Sequence, residues 1–92
     1  MRILLIEDDP QVASAWSLLL TAEGFIVERA ETASGVKAML PAMPAAPDLI
    51  ISDFHLADGS TGVDAVRIVR DWFAIAIPVF IVSGDTTRVI EP

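Results

Sequence analysis

At 92 residues, 53% of them hydrophobic, and with a formal net charge of −7, the chain is one small acidic domain with enough apolar material for a core. That charge argues against nucleic-acid binding by this segment. A phosphate backbone asks for a basic stripe, and the six basic residues (Arg2, Arg29, Lys37, Arg67, Arg70 and Arg88) are dispersed. With no cysteine, disulfides and thiolate zinc sites are excluded, which fits a reducing compartment.

The first element is the apolar run Ile3-Leu4-Leu5-Ile6, which ends abruptly in Glu7-Asp8-Asp9. It is too short for a buried helix and reads as a strand covered on both faces. Glu7 also cuts it too early for a signal peptide. Asp9-Pro10 is a helix start, with Asp9 to cap free amides and Pro10 suited to the first helical position. Val12, Trp16, Leu19 and Leu20 then predict one apolar face, and Gly24 a helix stop. A second short strand is expected over Phe25 to Val27, with Glu28 and Arg29 beyond it. A weaker helix follows over Ser34 to Leu40, carried by Val36, Met39 and Leu40.

Prolines at positions 41, 44 and 47 favour a polyproline turn or, more simply, a stiff surface connection. Asp48 to Asp53 is the third strand, again apolar until its final acid. Residues 57–62 are dense in turn formers. Val63, Val66, Ile68, Val69 and Phe73 predict a third amphipathic helix with Arg67, Arg70 and Asp71 mostly outward. Pro78 ends any helix, and Val79-Phe80-Ile81-Val82 is the fourth strand. The longest apolar run, Trp72 to Val82, has eleven residues and contains that proline. A membrane span needs about 20. The chain therefore reads as soluble and cytoplasmic.

Strand and helix alternate throughout, which predicts an α/β fold: a doubly wound parallel sheet with right-handed crossovers. Every strand-to-helix loop then lands on one edge, where such sheets bind their ligands. Glu7, Asp8, Asp53, Ser83 and Thr87 all fall on or beside those loops. Carboxylates gathered from the first and third strands repel one another unless a cation joins them. The pattern points to a divalent-metal site with one carboxylate to spare for chemistry.

These motifs resemble the response-regulator receiver domain, the phosphoacceptor module of two-component signalling. The resemblance rests on residues 3–10, on Pro47 to Asp53, on Gly59 and Gly62, and on Pro78 to Gly84, four motifs in order along the whole chain. Residues 53–62 are most similar to receivers attached to hybrid histidine kinases. The resemblance implies a flavodoxin-like sheet of order 2-1-3-4. It implies that Glu7 and Asp8 hold Mg²⁺ (or Mn²⁺), and that Asp53 ligates the metal and takes the phosphoryl group. His55 stands where the family uses a main-chain carbonyl as a further metal ligand. Ser83 stands where a hydroxyl bonds the phosphoryl group, and Gly84 where a small residue leaves room for it. The donor would be a histidine kinase or a phosphotransfer protein.

A complete receiver continues into a fifth strand and fifth helix, bringing a lysine to the phosphoryl group and an aromatic switch residue. Here the sequence given stops at Pro92, and Lys37, the only lysine, does not match. The expectation is therefore a single receiver domain over residues 1–92, incomplete at its C-terminal end. Its apolar fourth strand would form an exposed edge for a second copy or another partner to cover.

Simpler roles stand beside these. Asp9 reads as a helix cap, and His55 as an exposed loop histidine or as a group acting near the phosphoryl. Trp16, Trp72 and the phenylalanines read as packing; Asp58, Asp64 and Asp71 read as solvated surface. Two other functions compete with the phosphoacceptor module. A receiver-like interaction or dimerisation module would need none of the acids. A phosphatase of the haloacid dehalogenase type would need its nucleophile after the first strand and a second Asp where His55 stands.

Overall fold

The computed structural model describes residues 1–82. Its elements in chain order are β1 (Arg2–Ile6), α1 (Pro10–Ala22), β2 (Ile26–Ala30), α2 (Ala33–Met39), β3 (Leu49–Asp53), α3 (Gly62–Phe73) and β4 (Val79–Val82). A single 3-10 turn, Leu40–Ala42, continues α2. All strand pairs are parallel, and the sheet order is β2-β1-β3-β4.

Strand alternation divides the core in two. Leu4 and Ile6 of β1, with Ile50, Val79 and Ile81, face Val36 of α2, Leu40 of the 3-10 turn, and Val66 and Val69 of α3. Ile3, Leu5 and Ile51 face Ala13 and Leu20 of α1. Helices therefore cover both faces, which is why β1 and β3 are apolar without interruption. The sheet is doubly wound, as the alternation of elements predicts. No helix among the described residues is long and apolar enough to cross a membrane.

The helix ends follow local chemistry. Asp9 Oδ1 accepts from the amides of Gln11 and Val12 at 2.9 and 3.3 Å, with Pro10 at the first helical position. At the other end of α1, Gly24 takes φ +90°, open to glycine at little cost. Thr32 caps α2 by accepting from Gly35 N at 3.0 Å. Thr61 and Asp64 form a reciprocal capping box at the start of α3.

Several expectations need correction. Strand β2 runs on to Ala30 because it pairs with the whole of β1, from Arg2↔Ile26 to Ile6↔Ala30. Its polar residues are matched locally: Arg2 and Glu28 form an ion pair at 2.9 Å. The buried line of α1 passes through Ala13 and Leu20, with Trp16 packed against it, while Val12 and Leu19 are exposed. The small side chain of Ala13 is what seats the helix close to the sheet. On α3, Val63 and Trp72 are exposed, while Ala65 takes a core position. Arg70 folds back rather than outward, donating from Nε and Nη2 to the carbonyl of Ile77 at 3.0 and 2.6 Å. The proline segment begins in the 3-10 turn, and Met43 and Ala46 pack against the larger core cluster. On one side of the sheet β4 is the outermost strand among the described residues.

Candidate functional site

Because β1 lies between β2 and β3, the chain winds one way from it and then the other. This topological switch point is where parallel sheets leave a crevice at the strand ends. Glu7 and Asp8 leave β1 there, and Asp53 is the last residue of β3. One carboxylate oxygen from each of the three lies within 4.8 Å of the others. Two segments more than 40 residues apart thus meet as the sequence predicts.

The main chain around these acids is held closely. Glu7 N donates to Ala30 O at 3.0 Å, extending the β1–β2 ladder past Ile6. Its side chain turns back, and Oε1 accepts from Asp9 N at 3.1 Å. Asp53 Oδ1 accepts from Phe54 N at 2.8 Å, while Ser52 Oγ donates to Asp53 O at 2.9 Å. Gly62, at the start of α3, donates to Phe54 O at 2.7 Å and fixes the turn out of β3.

The electrostatics follow from the crowding. Glu7 is only 8% exposed. Burial lifts its carboxyl from 4.5 to about 7; the charges of Asp53 and Asp8 push the same way, and the Asp9 amide opposes them. Asp53 is also raised, first by burial and then by Asp8, against the Phe54 amide and His55. Neither ion pair among the described residues, Arg2–Glu28 and Arg29–Glu31, includes these acids. The donor set is all carboxylate oxygen, with no sulfur or imidazole in the cluster. A hard dication fits it, neutralising the repulsion and accepting oxygen ligands.

His55 is exposed, its ring edge-on to Phe54 with centroids 4.8 Å apart. Its main chain forms an antiparallel bridge with Thr61, which shapes the loop after β3. Ser83, Gly84 and Thr87 lie outside the described residues. Asp58 and Asp64, read as solvated surface, are exposed yet organise structure. Asp58 accepts from Ser60 N at 3.0 Å and is also bonded by Ser60 Oγ. Ser34 Oγ reaches it at 3.4 Å from α2, tying that helix to the β3–α3 loop. The Thr61–Asp64 box has a sequence signature that could have found it: a hydroxyl three residues before an acid, ahead of an apolar run.

Comparison with known proteins agrees with this geometry. The family model of the response regulator receiver domain matches residues 3–90. The DNA-binding response regulator MtrA of Mycolicibacterium smegmatis is 32% identical over 97% of this chain and 38% of its own length. The transcriptional regulatory protein KdpE of Mycobacterium tuberculosis is 36% identical over 91% of the chain and 35% of its own. The chain thus spans little more than a third of these curated relatives. Among solved structures, the PhyR receiver domain of Erythrobacter litoralis superposes with a TM-score of 0.77 at 28% identity, covering 89% of this chain and 61% of that one. The N-terminal domain of a response regulator/sensory box/GGDEF protein from Carboxydothermus hydrogenoformans gives 0.80 at 26%, covering 98% and 70%. A match reaching from β1 past β4, on a sheet of this order, settles the relationship: the chain belongs to the response regulator receiver domains of two-component signalling.

Proposed function

We propose that this receiver domain is a phosphoacceptor in which Asp53 takes a phosphoryl group from a histidine kinase or a phosphotransfer protein. The observation that carries this reading is the convergence of Glu7, Asp8 and Asp53 within 4.8 Å at the switch point of the sheet. Glu7, Asp8 and Asp53, with the main-chain carbonyl of His55, would hold Mg²⁺ or Mn²⁺. A bound dication supplies charge neutralisation, so that a carboxylate can approach a phosphoryl group of like charge.

The residues divide the remaining work. Asp53 offers one carboxylate oxygen as nucleophile, while its other oxygen is steadied by the Phe54 amide. Glu7, buried and turned back onto Asp9 N, sets the inner wall of the site. Ser83 would donate its hydroxyl to the transferred group, biasing a two-state switch. The net charge of −7 supports a protein partner rather than nucleic acid for this segment, and exchange with a kinase would place it in the cytoplasm. The domain is then a module that is modified and read, not a turnover enzyme.

The test is incubation with Mg²⁺ and a small acyl-phosphate donor, followed by intact mass. The expected product is an acid-stable, base-labile adduct that Asp53→Asn abolishes. No adduct, or one that survives the substitution, refutes the assignment. Steady turnover of a phosphomonoester would indicate a phosphatase instead.

A further inference from the structure

The main-chain carbonyl of Glu7 sits one residue past the end of the β1–β2 ladder. Ala30 O still receives Glu7 N at 3.0 Å, but β2 ends at Ala30 and the chain turns through Glu31 to Thr32, the cap of α2. The Glu7 carbonyl is met by a side chain instead: Arg29 donates to it from Nε at 3.2 Å and from Nη2 at 3.0 Å. Nη2 also reaches Glu31 Oε1 at 3.3 Å.

We infer that Arg29 is a positioning residue for the acidic site, extending the β1 edge by one residue so that Asp8 leaves it in a fixed direction. The inference rests on the metal-binding reading above. The physical reason lies in the peptide plane. The carbonyl of Glu7 and the amide of Asp8 belong to one rigid unit, so anchoring the oxygen fixes where the Asp8 backbone begins. A charged donor forked onto one carbonyl holds it more firmly than a neutral amide does. With both main-chain polar groups of Glu7 bound to β2, the Glu7–Asp8 pair is tied to the sheet rather than to its own loop. Arg29 acts at a distance from the ligand, through the backbone of the residues that face it. The pairing with Glu31, whose side chain is 64% exposed, has a lesser role because solvent screens it.

The test is direct Mn²⁺ titration of the unmodified protein by EPR, alongside thermal melts of the metal-free protein. Arg29→Ala should weaken Mn²⁺ binding about tenfold, the scale on which residues behind metal ligands act. Arg29→Lys should restore part of it, leaving about a threefold loss, because an ammonium cannot reproduce the fork. Glu31→Ala should leave the affinity unchanged. A residue that only supports the fold would lower the melting temperature of the metal-free protein without changing Mn²⁺ affinity. Wild-type affinity in whichever Arg29 variant folds overturns the inference while leaving the metal site standing. If the wild type shows no Mn²⁺ binding that Asp53→Asn weakens, the metal-site reading fails and this inference fails with it.

Discussion

Gly62→Ala sets two effects of opposite sign against each other. Helix α3 starts at Gly62. The residue does not have a left-handed φ, so alanine meets no backbone strain. Helix propensity alone would then favour alanine by up to ~1 kcal/mol. Packing opposes this. A Cβ at Gly62 would lie 2.6 Å from Ser52 Oγ, closer still to the carbonyl oxygen of Asp53, and 3.3 Å from Ile81 Cδ1. Two of these three neighbours belong to β3, at the very end that carries Asp53.

The obstructing carbonyl is main chain, locked in the Asp53↔Val82 register and bonded by Ser52 Oγ. It cannot swing aside like the tip of a flexible side chain. Overpacking of this kind costs about 1–3 kcal/mol. Lifting α3 would also weaken the Gly62–Phe54 hydrogen bond of 2.7 Å. That loss is worth about 1 kcal/mol. Packing therefore wins, with a net loss of about 1–3 kcal/mol after the propensity gain is subtracted. For a domain of this size the melting temperature should fall by roughly 5–20 °C. Urea denaturation followed by circular dichroism measures the free energy, and Ser52→Ala completes a double-mutant cycle. Removing the serine hydroxyl relieves one contact, so the double variant should be more stable than the two single losses predict, by at least ~0.5 kcal/mol. A Gly62→Ala protein within about 0.5 kcal/mol of wild type, the spread of ordinary surface substitutions, would refute the argument.

Two further outcomes follow from individual groups. Glu7 has its carboxyl raised from 4.5 to about 7, so the metal-free folded protein keeps a proton that the unfolded chain has already released. Its contribution to stability is complete below pH 4.5 and is lost as pH rises through about 7. After allowance for solvent screening, the loss should be on the order of 1–2 kcal/mol. Relative to wild type, Glu7→Gln should therefore gain stability across that window in urea melts without metal, and parallel pH curves for the two proteins would contradict this. Ala74 ends α3 in the left-handed region at φ 55°. Ala74→Gly should raise stability by about 1 kcal/mol, seen as a higher thermal midpoint, and an unchanged or lower midpoint would count against strain there.

The strands were legible wherever burial on both faces left an apolar run with an abrupt end. Ile3 to Ile6, Leu49 to Asp53 and Val79 to Val82 needed nothing more than their neighbours Glu7, Asp53 and Pro78. Asp9-Pro10 announced α1 because capping is local chemistry. The convergence of Glu7, Asp8 and Asp53 followed from the alternation of elements, since parallel strands bring their C-terminal ends to one edge. Strand β2 was harder to read, because Glu28 and Arg29 join a sheet only with partners supplied by β1. On α1 the hydrophobic spacing picks out Trp16 and Leu20 but sets Val12 and Leu19 beside them in place of Ala13, because large side chains dominate a hydrophobic pattern whereas close packing on a sheet selects a small one. Arg29 carries no local signal of its importance, because it matters for a carbonyl 22 residues earlier. Gly62 stands out in the sequence as part of the family motif, but the reason for it, the Asp53 carbonyl that a Cβ would meet, appears only in the fold.

The site therefore combines a fixed frame with unsettled charges. Each acid segment is bound through its main chain: Glu7 by Ala30 and Arg29, and Asp53 by Ser52, with Gly62 anchoring the turn that follows. Among the described residues the carboxylates themselves have little support, with one amide bonded to Glu7 and one to Asp53. Crowding three carboxylates at one sheet edge raises the free energy of the metal-free state, most clearly at Glu7, whose carboxyl is lifted to about 7. Because the backbone is bound to the sheet, a cation or phosphoryl group arriving as proposed would act first on the side chains of Glu7, Asp8 and Asp53 rather than on the strands.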